Sequence, residues 1–234
     1  TAGIIGMVVL GFMNAFGIEV ETRTLTSTQS PLILYQLLIG FCVSLIVTSF
    51  YLHFKKKEKY HFKLLLKLSG RLPSDFVEMT NMATVTLNMS IIGFILLGYV
   101  LMNGGQLNGP IVGSIIGVMS FGAFGNQVKN TVPVLVGIMI GSYLTGVEPT
   151  STSALIAAIF GTTLAPVSGY YGPFAGMIAG FVHITLVSHV VVMHGGLNLY
   201  NNGFAGGFVA AVLVPIFEIF EGIRQDIKER KAEG

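Results

Sequence analysis

The chain has 234 residues, of which 52% are hydrophobic and only 10% are charged. Soluble domains carry roughly 25% charged residues, so this composition excludes a soluble fold. It predicts instead an all-α polytopic protein that lies in the lipid bilayer. The net charge is only +2 and no basic patch is interleaved with aromatic residues, which gives no indication of a nucleic-acid partner.

The region 1–53 is predicted to hold two transmembrane segments. The apolar run at 2–18 is of borderline length, whereas the run at 31–53 is long enough to span a bilayer. The chain opens at Thr1 almost directly onto apolar sequence, with no Met and no basic region that a signal peptide would carry. This start predicts that the chain is a fragment, a processed product or the second part of a longer protein.

The region 54–79 is predicted to be a cytoplasmic loop. It begins with "KKKEKYHFK", the densest positive charge in the chain, and Lys and Arg clusters beside helix ends mark the cytoplasmic side. A short interfacial helix is expected around "HFKLLLKL".

The region 80–221 is predicted to be a core of six further segments, which makes about eight transmembrane or partly re-entrant helices in all. The six segments are 80–102, 110–125, 132–147, 153–167, 173–193 and 203–220. An even number of crossings places the charged tail, 222–234, in the cytoplasm with the basic loop. Two re-entrant segments would preserve the same parity, so the number of full crossings stays open.

Two stretches of the core, 100–117 and 191–211, resemble each other. Each ends an apolar run with Val-x-Met, continues with Asn103 or His194 before Gly-Gly, and resumes with Asn-Gly followed by small residues at every fourth position. This pattern predicts an internal repeat with two helix breaks, although Gly- and Asn-rich turns also resemble each other by chance. The spaced glycines, including Gly137, Gly141, Gly176 and Gly180, predict close helix packing.

Polar side chains at membrane depth are the candidate binding residues, because they are costly there and are usually functional. The predicted substrate-binding residues are Asn103, Asn108, His183, His194, Asn198, Asn201 and Asn202. The predicted breaks use the backbone freedom of Gly104, Gly105, Gly195, Gly196 and Gly203. The stretch 121–133 is interpreted as a turn with one orienting positive charge, the alternative being a pore cap in which Lys129 attracts anions.

No metal site, cofactor or catalytic residue is predicted. The spacings of six and five residues between His183, His189 and His194 do not place two imidazoles on one helix face. No serine elbow, phosphate-binding glycine loop or zinc-binding helix motif is present, so the chain is not expected to be an enzyme.

The runs 103–138 and 194–218 resemble an uncharacterised family of bacterial integral membrane proteins, domain of unknown function 1576, over residues 30–222. That resemblance implies that the chain is the C-terminal portion of a longer protein built from repeated units. A weaker similarity links "LNLYNNGFAGG" to urea transporters, but their proline-rich filter segment is not found here and no filter residue is carried over.

Three functions stay open from the sequence. The first is a transporter or channel for a small polar solute in the bacterial inner membrane, with its site at the Gly- and Asn-rich breaks. The second is a non-transporting scaffold or assembly subunit, in which the chain forms a homo-oligomer or associates with a missing N-terminal half. The third is an intramembrane enzyme that uses His183 or His194 with a partner from elsewhere.

Overall fold

The computed structural model describes residues 15–17, 31–190 and 198–233. Within these ranges every regular element is a helix. In chain order the helices are α1 (Pro31–Lys55), α2 (Phe62–Leu65), α3 (Phe76–Met79), α4 (Met82–Met102), α5 (Gly109–Met119), α6 (Val128–Thr145), α7 (Thr152–Gly161), α8 (Ala165–Tyr171), α9 (Pro173–His189) and α10 (Asn198–Glu233). Single 3-10 turns extend α5 through Ser120–Ala123 and join α7 to α8 through Thr162–Leu164.

Five helical stretches of the described chain are long and apolar enough to cross a membrane. They are Pro31–Lys55, Met82–Met102, Val128–Thr145, Thr152–Tyr171 and Asn201–Arg230, and the shorter apolar helices are Gly109–Ala123 and Pro173–His189. A helix pairs its backbone groups within one segment, as a bilayer requires. The predicted all-α membrane architecture is therefore confirmed. The segment predicted at 2–18 lies almost wholly outside the described residues, and the count of eight stays a prediction.

One end of the helix bundle holds the basic loop and the part of α10 that directly precedes the charged tail. The side chains of Arg71 and Glu218 form an ion pair there at 3.0 Å. Nδ2 of Asn130 donates to the carbonyl of Ser69 at 3.2 Å, which fixes the loop on the start of α6. We call this the basic end. The contacts agree with a basic loop and tail on one side of the membrane, and which side that is stays a prediction.

The opposite end, which we call the far end, holds residues 103–108 and 146–151. Nδ2 of Asn108 donates to the hydroxyl of Thr152 at 2.8 Å, so the starts of α5 and α7 lie side by side. The helices between the two ends alternate in direction, as short connections require. Helices α6 and α9 both run from the basic end to the far end and pack closely against each other.

Glycines make the contact between α6 and α9. A Cβ on Gly137 would collide with the backbone carbonyl of Met177, and one on Gly180 with that of Val134. Close helix packing at these glycines confirms the prediction from their spacing. A Cβ on Gly113, Gly117, Gly203 or Gly207 would meet nothing within 4 Å, so these ladders pack on no described part of the chain.

The basic loop contains less helix than predicted, and the tail continues a helix instead of forming a separate segment. The expected interfacial helix is a single turn, Phe62–Leu65, held by Leu65, which is fully buried against Phe76. The tail at 222–234 is no separate element through Glu233, since α10 runs on without interruption. At about 1.5 Å per residue its 36 residues span about 54 Å, well beyond a hydrocarbon core of about 30 Å.

Candidate polar cavity

A cavity of about 220 Å³ lies at the far end between α7, α9 and α10. We call it the far-end cavity. Its wall combines small apolar side chains with serine hydroxyls and asparagine amides, contributed by Val147, Ser153, Ala154, Ala157, Ile184, Val187, Ser188, Asn201 and Asn202. Since none of these residues is charged, the cavity offers neutral hydrogen-bonding groups alone.

Three polar residues beside this cavity are almost completely buried. Their exposed fractions are 0% for His183, 1% for Asn201 and 4% for Asn202. The imidazole of His183 lies within interaction range of the Asn202 side chain and the Ala157 backbone. Neither ring nitrogen completes a hydrogen bond of ordinary geometry with a described residue, and neither does the side-chain amide of Asn201. Buried polar groups are nearly always hydrogen-bonded, so this cluster has capacity for a further partner.

Small residues allow the His183 ring to enter the core. A Cβ on Gly161 of α7 would lie 2.8 Å from Cδ2 of His183 and 2.7 Å from Cδ1 of Ile138. One on Gly206 of α10 would lie 4.0 Å from Nδ1 of the same ring. The ring is therefore enclosed by α6, α7 and α10. In the sequence, its burial was indicated by the spacing that places His183 on the same helix face as Gly176 and Gly180.

Metal chemistry finds no support in the described residues. No group of three or more His, Cys, Asp or Glu side chains that could hold a metal ion lies among them. Nδ1 of His189 lies 2.7 Å from the Thr185 carbonyl and 3.1 Å from the Ser188 hydroxyl. His189 thus bonds locally on its own helix.

The first predicted break, 100–117, is a capped turn between α4 and α5. Asn108 caps α5 by accepting from the Ile111 amide at 3.0 Å while it donates to Thr152. Asn103 donates to the Tyr99 carbonyl at 2.8 Å. It lines a different pocket, of about 410 Å³, at the same end of the bundle. Gly104 has a φ of +71°, which glycine adopts without strain.

At position 105 glycine is required for a different reason, because a larger side chain would not fit there. A Cβ on Gly105 would lie 2.5 Å from Cδ1 of Leu155 and 3.1 Å from the Val100 carbonyl. The first break is therefore packed against α7, and it does not open into the far-end cavity.

The second predicted break, 191–211, differs from the first. His194, Gly195 and Gly196 lie outside the described residues, and the Asn198 backbone begins α10. Asn202 and Gly203 lie in the second turn of α10, whereas Asn108 and Gly109 form the very start of α5. The prediction of unusual backbone angles at Gly203 is wrong, because it lies within a regular helix. The internal repeat stays a prediction.

A second buried polar cluster was not predicted. Nδ2 of Asn88 donates to the carbonyls of Gly122 and Asn126, both at 2.8 Å. Nδ2 of Asn126 lies 3.4 Å from the hydroxyl of Thr162, the residue that follows Gly161. The side-chain oxygens of both asparagines are buried without a hydrogen-bond partner among the described residues. Polar groups therefore continue from His183 toward the basic end.

The stretch 121–133 carries this second cluster and also starts α6. Gln127 and Asn130 cap that helix reciprocally, with distances of 2.7 Å to the Lys129 amide and 2.8 Å to the Gln127 amide. Both capping residues are buried, and Asn130 also donates to the Gly125 carbonyl at 2.8 Å. The segment is thus a turn as interpreted, but one built into the core.

Comparison with known proteins identifies one family, and that family has no assigned function. No curated protein and no solved structure matches the chain. A family model described as "Protein of unknown function (DUF1576)" matches residues 54–219, which include the basic loop, both polar clusters and most of α10. The chain belongs to this family of helical membrane proteins.

Proposed function

We propose that the protein moves a small, neutral polar solute across the membrane and binds it in the far-end cavity. The observation that carries this proposal is the buried pair His183 and Asn201, whose ring nitrogens and side-chain amide have no hydrogen-bond partner of ordinary geometry among the described residues. A buried unpaired group costs about 1–3 kcal/mol, so a solute that pairs with it gains binding free energy.

The size of the cavity suits a small molecule. A water molecule occupies about 30 Å³ in the liquid, so about 220 Å³ is the volume of roughly seven waters. The wall carries no charged residue. An ionic solute would lose its hydration there without a compensating charge, which favours a neutral solute.

The arrangement of the second cluster supports movement through the bundle rather than binding alone. Gly161 contacts His183 and Thr162 contacts Asn126, so the two polar clusters meet at adjacent residues of one helix. Between them the core is closed by the Ile138 side chain and the His183 ring. Transporters open a solute site to one side of the membrane at a time, and a closed step between two polar clusters suits that cycle.

The scaffold hypothesis predicts breaks that are sealed by packing, and the first break fits that description. The far-end cavity does not, since its buried amides gain nothing from a purely structural role. The enzyme hypothesis requires a metal or a carboxylate beside His183, and no carboxylate lines the cavity.

Solute binding can be tested on purified protein in detergent. The thermal unfolding midpoint is measured with a panel of small polyols, amides and zwitterionic amino acids. We expect one solute class to raise the midpoint for the unaltered chain and for a Phe208→Leu control, because Phe208 is 50% exposed on α10. The same class should not shift the Asn201→Leu variant. A panel with no effect on the well-folded unaltered chain would contradict the proposal.

A further inference from the structure

A second pocket, of about 180 Å³, lies at the basic end between residues 66–68 of the loop, the start of α6, the end of α8 and the start of α9. We call it the basic-end pocket. It is separate from the far-end cavity and shares no residue with its wall. Its volume equals roughly six water molecules, which is enough for a phosphate group.

The charged residues in the wall of this pocket are all positively charged. Lys67 and Lys129 belong to its wall and no carboxylate does. The ion pair found in the described residues joins Arg71 to Glu218, so neither lysine is neutralised by a described acidic side chain. Two ammonium groups on one small pocket attract an anion.

A helix start and a buried hydroxyl accompany the two lysines. Gly172 and Pro173 form part of the wall, and they begin α9, which has no side-chain cap. The Gly172 N–H donates to the Ser168 carbonyl and Pro173 has no N–H, so these two residues bring to the wall the positive end of the α9 dipole. Ser168 is also in the wall, is only 4% exposed, and its hydroxyl has no hydrogen-bond partner among the described residues.

The other helix that starts at this pocket, α6, contributes less. Its start is already occupied, because Gln127 and Asn130 cap each other's amides. The groups available to an anion are therefore the two ammonium groups, the Ser168 hydroxyl and the positive end of the α9 dipole. This set matches the oxygens of a phosphate group, which accepts several hydrogen bonds and binds at helix starts.

We propose that the basic-end pocket binds a phosphate group, supplied either by the headgroup of an anionic phospholipid or by free phosphate. The position suits both sources. Tyr170 belongs to the same wall, and the Arg71 guanidinium lies 4.4 Å from the centre of its ring, an arrangement common at the interface between membrane and water.

The test compares the unaltered chain with a Lys67→Gln, Lys129→Gln double variant. A Lys56→Gln, Lys63→Gln double variant is the matched control, since it removes the same charge from the same loop region but outside the pocket. Each protein is unfolded thermally in neutral detergent with sodium phosphate at constant ionic strength. Each is also unfolded in nanodiscs of phosphatidylcholine with or without phosphatidylglycerol.

Phosphate or phosphatidylglycerol should stabilise the unaltered chain and the control, with binding weakened roughly tenfold in the pocket variant. A response to phosphatidylglycerol alone identifies the headgroup as the source, and a response to phosphate alone identifies the free anion. Ser168→Ala should weaken the same response. The proposal is overturned if neither ligand stabilises the unaltered chain, or if the pocket variant and the control respond equally.

Discussion

The imidazole of His183 lies directly against Gly161, at a place where the core has no room for one additional methyl group. A Cβ on Gly161 would lie 2.8 Å from the ring and 2.7 Å from the Ile138 side chain. The next residue, Thr162, receives the side-chain amide of Asn126. This contact therefore lies between the two polar clusters, and we propose it as the closed step between them.

Gly161→Ala tests this step. The added methyl group must displace either the His183 ring or Ile138, so we expect a loss of about 1–3 kcal/mol in stability and a strong loss of solute uptake. Gly113→Ala is the control, since a Cβ there meets nothing within 4 Å. It should leave uptake unchanged and preserve or slightly raise stability. If Gly161→Ala unfolds and transports like the unaltered chain, the packing around His183 is not as described.

Asn201→Leu separates stability from function. Leucine has a similar volume and removes a buried amide that has no described partner, so the unfolding midpoint should rise by an amount equivalent to about 1–3 kcal/mol. Solute binding should fall in the same variant, as is common when a binding site is made more stable. A fall in both quantities would instead mean that Asn201 is bonded within the folded chain.

Replacing a glycine by alanine should destabilise the chain where α6 packs against α9 and should have no effect where the glycine faces open space. Gly137→Ala would place a methyl group on the Met177 carbonyl, and a backbone group moves far less readily than a side chain. We expect a destabilisation of about 3 kcal/mol or more, measured as a fall in the unfolding midpoint. Gly117→Ala faces open space and should cost nothing. Equal effects at the two positions would contradict the parallel packing of α6 and α9.

The contact between Arg71 and Glu218 predicts that α10 restrains the basic loop. Hydrogen bonding to Glu218 raises the pKa of Arg71 above its ordinary value, so the guanidinium stays charged at every working pH. Glu218→Gln should increase hydrogen exchange at residues 69–72 with little change in the unfolding midpoint, because the pair is exposed to solvent.

Glu221→Gln removes one carboxylate from the same helix outside that contact and is the control. Exchange at residues 69–72 that rises equally in both variants would show that net charge, rather than the contact with Arg71, restrains the loop.

The positions of the helices could be predicted from sequence because each apolar run is long and has clear limits. The burial of His183 was also accessible, since its register with Gly176 and Gly180 placed it on a packed helix face. The difference between Asn108 and Asn202 could not be predicted, because an Asn-Gly pair has the same sequence whether it lies at a helix start or within a helix. Only the course of α10 shows that Asn202 lies in its second turn.

The second polar cluster could not be assembled from the sequence. Asn88 lies 34 residues from Gly122 and 38 from Asn126, and only the packing of α4 against the end of α5 brings them together. A signal did exist at Asn88, which is an amide in the middle of an otherwise apolar span. Asn126 gave none, because an asparagine in a glycine-rich turn is ordinary turn chemistry.

The most direct test of the account is solute uptake by proteoliposomes. The unaltered chain, Asn202→Leu and the exposed control Phe208→Leu are reconstituted at equal density, and uptake of the solute class identified by thermal stabilisation is measured. We predict saturable uptake by the unaltered chain and the control, and uptake near that of empty liposomes for Asn202→Leu. Equal uptake by all three would contradict a path through the far-end cavity, and uptake by none would contradict transport itself.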